Sequence, residues 1–72
     1  MKQDEIKALN GAIITPEELE KIELSNCVKV VDFLGVSNLY TGCYQFQIDF
    51  ENKSSIDVYV NIKTLDKKML TN

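Results

Sequence analysis

The clearest pattern in the chain is an alternation of apolar and polar positions over two neighbouring segments. Apolar side chains occupy the even-numbered positions of residues 44–50 and of residues 56–62, and polar side chains or tyrosine stand between them. A period of two is typical of a strand with one buried face. Both segments are therefore predicted to be half-buried strands, joined by a short hairpin loop at residues 51–54.

The register of this hairpin follows from its charges. Placing Ile48 opposite Ile56 keeps the apolar side chains of both strands on one face. The next in-phase alternative would set Asp49 opposite Asp57, and like charges that face each other directly destabilise a strand pair. The sequence therefore predicts the register in which the two isoleucines are partners.

An earlier strand, over residues 27–34, has a less regular pattern. Lys29 and Asp32 are three positions apart, so in a regular strand they point to opposite faces and neither face is wholly apolar. Two explanations stay open: a β-bulge near Val30 and Val31, or a strand that is covered on both faces. With a glycine-containing turn leading into the next strand, the three segments predict an antiparallel β-meander.

The first segment of the chain has helical spacing. Residues 2–10 place Ile6 and Leu9 on one face, and Gly11 follows directly. Glycine is the usual residue just past a helix end because it accepts a positive φ. A short helix is therefore predicted here.

The second helix has the strongest start signal in the chain. Thr15 precedes Pro16, which suits the first helical position, and Glu18 stands where its carboxylate can accept a hydrogen bond from the Thr15 amide. The helix is predicted to run from Pro16 to about Glu23. Neither helix reaches the roughly 12–15 residues that are stable alone in water, so both are predicted to pack on the sheet.

For the tail, residues 64–72, the sequence allows two predictions, a last helical turn or a frayed end. Thr64 could cap a helix here, and the apolar residues of the tail are Leu65, Met69 and Leu70. The predicted fold class is α+β, with two short N-terminal helices packed on a three-stranded antiparallel β-meander and, if the tail is helical, a short C-terminal turn. With no repeat and no linker, residues 1–72 are predicted to form one small domain.

Composition sets the size of the core. A chain of 72 residues that is 44% hydrophobic and 26% charged fits one small globular domain. Such a domain buries only about 60% of the surface that its unfolded chain exposes, so docking on a partner adds much to its stability. The formal net charge is -3, and residues 1–26 carry this excess with six acidic residues against three lysines.

The same sequence predicts a cytoplasmic protein. No apolar run approaches the roughly 18 residues that cross a bilayer, and residues 1–5 lack the pattern of a signal peptide. Cys27 and Cys43 form no disulfide framework, and on the predicted hairpin they lie about 20 Å apart. All eight cationic residues are lysine, and together with many isoleucines and asparagines this indicates an A+T-rich genome, as in a low-G+C bacterium, its phages or its mobile elements.

Several chemistries lack their usual residues. The chain has no histidine, which removes the commonest general base and the commonest metal ligand. Two cysteines and scattered carboxylates predict no metal site, and isolated glycines predict no phosphate-binding loop. Cys27, close to Lys29, and Cys43 are expected to be small packed side chains instead of nucleophiles. Neither an enzyme nor a cofactor is predicted.

Nucleic-acid binding is the alternative hypothesis, since two helices followed by a hairpin suit a winged-helix regulator. The lysines that would then contact phosphate are Lys53, Lys63, Lys67 and Lys68. The absence of arginine and the net charge of -3 do not favour this function. A steep loss of affinity between about 50 and 200 mM salt would identify it.

Protein binding is the leading hypothesis, and the last strand is the first candidate surface. As an outer strand of the meander, it would offer unpaired backbone groups for strand addition or for a homodimer. Its solvent face carries Tyr59, an aromatic anchor of the kind that interfaces favour. The polar candidates beside it are Asp57, Asn61, Gln45 and Gln47.

Two further candidates lie outside this strand. Tyr40, with Leu39, is exposed in the first hairpin turn unless it folds back over the core. Glu17 and Glu20 belong to an acidic row on the second helix that either imitates DNA phosphates for a protein target or only completes the helix cap. The sequence thus predicts a small acidic cytosolic module that inhibits or modulates a larger protein, of a phage, mobile-element or anti-defence type.

Overall fold

A computed structural model describes residues 1–70, with side chains through Lys68, and its fold class is α+β. In chain order the elements are α1 (Gln3–Lys7), β1 (Ile13–Ile14), α2 (Pro16–Glu23), β2 (Val28–Val36), β3 (Cys43–Phe50), β4 (Ser55–Asn61) and α3 (Ile62–Leu70). Of the predicted tail, residues 71 and 72 and the side chains of Met69 and Leu70 lie outside what is described.

The sheet is mixed and has the strand order β1-β4-β3-β2. Strands β2, β3 and β4 form the predicted antiparallel meander, and β1 adds a fourth strand that runs parallel to β4. The prediction of a purely antiparallel three-stranded sheet is therefore wrong. A strand of two residues between two helix signals is too short to produce a period of two, so the hydrophobic pattern cannot reveal it.

The hairpin of β3 and β4 has the predicted register. Ile48 is the partner of Ile56, and Asp49 is the partner of Ser55, so the aspartates of the two strands do not face each other. Residues 51–54 form the connecting loop, as predicted, with turn and bend geometry over residues 51–53. The periodic pattern and the charge argument were sufficient here because both strands have one buried face.

Strand β2 lies at the edge of the sheet and has two register irregularities. The first, between Val28 and Val30, agrees with the bulge near Val30 and Val31, one of the two explanations that the sequence left open. The second lies between Phe33 and Gly35, where Gly35 has a φ of 90°. Glycine enters this left-handed region without the steric cost that a Cβ atom would add. The regular part of β2 is therefore the short stretch between the two irregularities.

The core lies between the helices and one face of the sheet. Alternation places the even-numbered side chains of β3 and β4 on this inner face, against Ile6 of α1 and Ile22 of α2. The buried cluster is Ile6, Ile14, Ile22, Ile48, Phe50, Ile56, Val58 and Val60. Because helices this short are not stable alone, these contacts hold them in place.

Helix α2 begins with the predicted capping box. The Thr15 Oγ1 atom accepts a hydrogen bond from the Glu18 amide at 3.1 Å, and the Glu18 Oε1 atom accepts one from the Thr15 amide at 3.0 Å. The bounds Pro16–Glu23 agree with the sequence prediction. A cap of this kind contributes about 1 kcal/mol.

The other two helices differ from their predicted extents. Helix α1 ends at Lys7 instead of residue 10. Helix α3 begins directly after β4, because the Oδ1 atom of Asn61 accepts a hydrogen bond from the Thr64 amide at 3.1 Å. Asn61 therefore caps this helix, and the expected cap at Thr64 is wrong.

Candidate protein-binding surface

The predicted polar patch lies on the outer face, the sheet face opposite the helices. Its members are neighbours as the register requires, with Gln45 beside Tyr59 and Gln47 beside Asp57. Tyr59, however, is only 5% exposed, so the prediction of an exposed anchor at this position is wrong. The ring of Tyr40 covers it edge-to-face, with 4.7 Å between centroids. What remains of the patch is half-buried and polar.

Tyr40 is held over the outer face by two hydrogen bonds. Its hydroxyl donates to the Gly11 carbonyl oxygen at 2.9 Å, and its amide donates to the Ser37 Oγ atom at 3.0 Å. Of the two positions left open for Tyr40, the structure shows the folded-back one, although it covers the outer face instead of the helical core. This residue links the β2–β3 turn to the segment before β1.

Strand β4 has no open edge for a partner, because the segment leading into β1 pairs with it. The Gly11 amide donates to the Asp57 carbonyl oxygen at 2.7 Å, and the Tyr59 amide donates to the Ala12 carbonyl oxygen at 3.0 Å. The Asn10 side chain also accepts from the Asp57 amide at 3.1 Å. The prediction that this strand is an outer strand is therefore wrong. Its last residue, Asn61, is occupied by the cap of α3.

Glu17 and Glu20, two members of the acidic row, contact α3. The Lys68 Nζ atom lies 2.8 Å from the Glu20 Oε2 atom and 3.3 Å from the Glu17 Oε2 atom. Hydrogen bonding to Lys68, and then its positive charge, lowers the pKa of Glu20. The same hydrogen bond raises the pKa of Lys68 against a smaller opposing effect of burial. These contacts join α3 to α2. Lys68, which the nucleic-acid hypothesis expected to contact phosphate, is thus bound to two glutamates of the same chain.

Acidification is expected to loosen the contact of α3 with α2. Because the pKa of Glu20 is lowered from 4.5, the stabilisation is complete above that value and is lost as the pH falls through the lowered pKa. After correction for intrinsic exchange rates, amide-exchange protection of α3 should therefore be level well above pH 4.5 and fall as the pH drops below that value through the lowered pKa of Glu20. The variant Lys68→Gln should show less of this pH dependence, and an unchanged dependence would contradict the role of the ion pair.

The apolar surface that the sequence analysis did not single out lies along β2. Phe33 is 59% exposed and Val36 is 65% exposed, and Val30 and Leu34 are each more than two-fifths exposed. Within residues 1–70, the strand order leaves β1 and β2 at the edges, and β2 is the long one with nine residues. On its side away from β3, this strand has no partner strand in the described sheet, which makes it a template for strand pairing.

A groove of about 250 Å³ lies beside β2, between the sheet and the helices α2 and α3. The sheet contributes Val31, Phe33 and Phe46, and the helices contribute Pro16, Leu19, Leu65, Glu20, Glu23 and Lys68. The Phe33 ring lies 5.4 Å from the Phe46 ring and 5.1 Å from the Tyr44 ring, centroid to centroid. We call this site the β2 groove. Its lining is aromatic and aliphatic, with charged side chains from both helices.

The size of the β2 groove favours one kind of occupant. Sites for whole small molecules usually enclose about 300–1,000 Å³, whereas a cavity of about 150 Å³ already holds a benzene ring. At about 250 Å³, the groove suits one or two apolar side chains of a partner protein. The adjoining open strand can hold the backbone from which such side chains project.

Other chemistry is limited among the residues described. No three side chains of the metal-binding types come together. Cys27 and Cys43 are free thiols at opposite ends of the β2–β3 hairpin, as predicted, and Cys43 is buried. No helix in this part of the chain is long and apolar enough to cross a membrane.

Comparison with protein-family models, with curated proteins and with solved structures finds no match. The functional interpretation therefore depends on the surface itself.

The sequence contains one signal for the exposed apolar surface of β2: the strand carries only Lys29 and Asp32 as charged residues. That composition suits a central strand better than an edge strand, which natural proteins usually protect with charges.

Proposed function

We propose that this chain is a small protein-binding module that inhibits or modulates a larger protein and binds it through β2. The observation that carries the proposal is an edge strand of nine residues with large apolar side chains exposed along it. Single exposed apolar residues are normal on protein surfaces. Here several of them are concentrated on one edge strand, and Phe33 among them lines a groove, which is typical of an interaction site.

Strand addition is the binding mode that this geometry supports best. In such complexes, backbone hydrogen bonds supply affinity and pockets for alternate side chains supply specificity. The regular stretch of β2, residues 30–33, is about 13 Å long at about 3.3 Å per residue. Phe33 belongs both to this stretch and to the lining of the β2 groove, so one bound segment could use the strand and the groove together.

The cytoplasmic location and the phage or mobile-element origin belong to the same proposal. The cationic residues, all lysine, support the origin, and two free cysteines among the residues described suit a reducing compartment. Nucleic-acid binding receives less support, because Lys68 is engaged by two glutamates and the formal net charge is -3. We therefore carry only the protein-binding function forward.

Site-specific photo-cross-linking tests this function. A diazirine amino acid is placed at Leu34 on β2 or, as a control, at Ile13 on β1, which are 49% and 55% exposed. In cells of the organism that encodes the chain, the Leu34 position should cross-link predominantly one protein, and the Ile13 position should not. Equal cross-linking from both edges would contradict the proposal. So would no cross-link from Leu34 together with monomeric sedimentation.

A further inference from the structure

We infer that β2 and the β2 groove recognise an extended peptide segment that carries an apolar side chain and, two positions away, a lysine or arginine. This inference rests on the proposed function and specifies the chemistry of the partner. Its components are the open strand, the apolar groove beside it and the negative charge of the helix that borders the groove. Each component restricts what the bound segment can be.

The groove determines the apolar residue of the segment. Its sheet side is formed by Val31, Phe33 and Phe46, and the two phenylalanine rings are tilted by 55° against each other. Aromatic and long aliphatic side chains gain most in such a site, because aromatic pairs add to the free energy of burial. A phenylalanine, leucine or methionine side chain fits the available volume.

Helix α2 determines the charge of the segment. It carries four glutamates and one lysine, and Glu20 and Glu23 line the groove. Glu20 is already paired with Lys68, whereas Glu23 is exposed and makes no salt bridge within the described part of the chain. A cationic side chain placed beside Glu23 would gain an ion pair without displacing Lys68. An acidic side chain there would be repelled.

Strand geometry determines the spacing. Successive side chains of a strand point to opposite faces, so the apolar residue and the basic residue that both face the helices are an even number of positions apart, and two positions is the nearest such spacing. The residue between them faces the outer side of the sheet, where Asp32 of β2 is exposed and pairs in register with Gln47. A polar or cationic residue suits that intermediate position.

A second copy of the chain fits these requirements less well. Each copy carries a formal net charge of -3, and its own β2 contains only Lys29 as a cationic residue. Two acidic α2 helices would also approach each other if the sheets joined edge to edge on the same side. A homodimer through β2 is therefore an outcome to be tested against the peptide.

Two synthetic peptides provide the probe. Both are blocked heptapeptides of threonine and valine with a central phenylalanine; one carries lysine two positions on either side of it, and the other carries glutamate there. Titrated into the full chain at low salt, the lysine peptide should shift the amide resonances of β2 and bind about fivefold more tightly than the glutamate peptide, because lysine gains an ion pair with Glu23 and glutamate is repelled there. Raising the salt to about 0.5 M should remove most of this preference.

Matched variants then locate the charge effect. Glu23→Gln should reduce the preference for the lysine peptide by about two- to fivefold, whereas Asp57→Asn, on the outer face, should leave it unchanged. Glu23 is exposed and Asp57 is half-buried, and unchanged thermal midpoints confirm that both variants fold. If both peptides shift β2 equally, the charge inference is wrong and the proposed function stands.

The remaining outcomes separate the two proposals further. If neither peptide binds while Leu34 still cross-links a partner, the inferred chemistry of the segment is wrong and the binding edge is retained. A concentration-dependent dimer that excludes both peptides would assign β2 to a second copy and overturn the inference. Loss of both the peptide shifts and the Leu34 cross-link would overturn the proposed function as well.

Discussion

Replacing Ile22 with alanine is expected to lower the free energy of unfolding by about 2–5 kcal/mol, the usual cost of truncating a fully buried isoleucine. Its side chain is 0% exposed and belongs to the buried cluster that joins α2 to the sheet. A chain of this length has only about 4–11 kcal/mol of stability in total. The variant should therefore unfold at a much lower urea concentration.

The matched control for this substitution lies two residues further on. Leu24, which ends α2, is 78% exposed, so Leu24→Ala should change stability by no more than about 0.5 kcal/mol. Urea denaturation followed by circular dichroism measures both variants. Equal losses for the two substitutions would show that the packing of α2 on the sheet is not as described.

Replacing Phe33 with alanine is expected to lower affinity for the partner by about 30-fold or more, which is the scale of an interface hot spot. Phe33 lies on the edge strand, lines the β2 groove and stays 59% exposed. Folding should suffer less, by about 1 kcal/mol, because the substitution mainly removes its contacts with Phe46 and Tyr44. Affinity is measured with the partner that cross-links to Leu34, and stability with urea.

Ile13→Ala provides the control on the opposite edge of the sheet. This isoleucine is 55% exposed and lies on β1, so its loss should leave affinity for the partner unchanged. If Phe33→Ala weakened folding and binding in parallel, its role would be structural. If Ile13→Ala weakened binding as much as Phe33→Ala, β2 would not be the main binding edge.

The parts of the fold that could be predicted are those with a local physical signature. The α2 cap depends on Thr15 and Glu18, three residues apart, and the β3–β4 register depends on two alternating strands that bury one face each. Strand β1 lacks such a signature, because it exists only through the pairing of Ile13 and Ile14 with β4, far away in sequence. Helix α3 has a local cap at Asn61, but Asn61 also continues the alternating pattern of β4, which hides the start of the helix. The contact of Lys68 with α2 is again distant in sequence.

The candidate site was harder to predict for a related reason. Three predicted interface residues make their contacts within the chain instead. The ring of Tyr59 packs against Tyr40, Asn61 caps α3, and Glu20 forms an ion pair with Lys68. Sequence patterns show what a side chain can bind, but the tertiary structure decides whether its partner is internal. The β2 surface became visible only once the strand order placed β2 at the edge.

Amide exchange of the chain, alone and in complex with the protein that cross-links to Leu34, tests most directly whether β2 is the binding edge. Strand addition requires that amides within residues 30–33 on the open side of β2 gain protection in the complex. Amides of β1 and of the outer-face loop around Tyr40 should not change. Protection confined to β1, to the outer face or to α2, with β2 still exchanging as in the isolated chain, would contradict it.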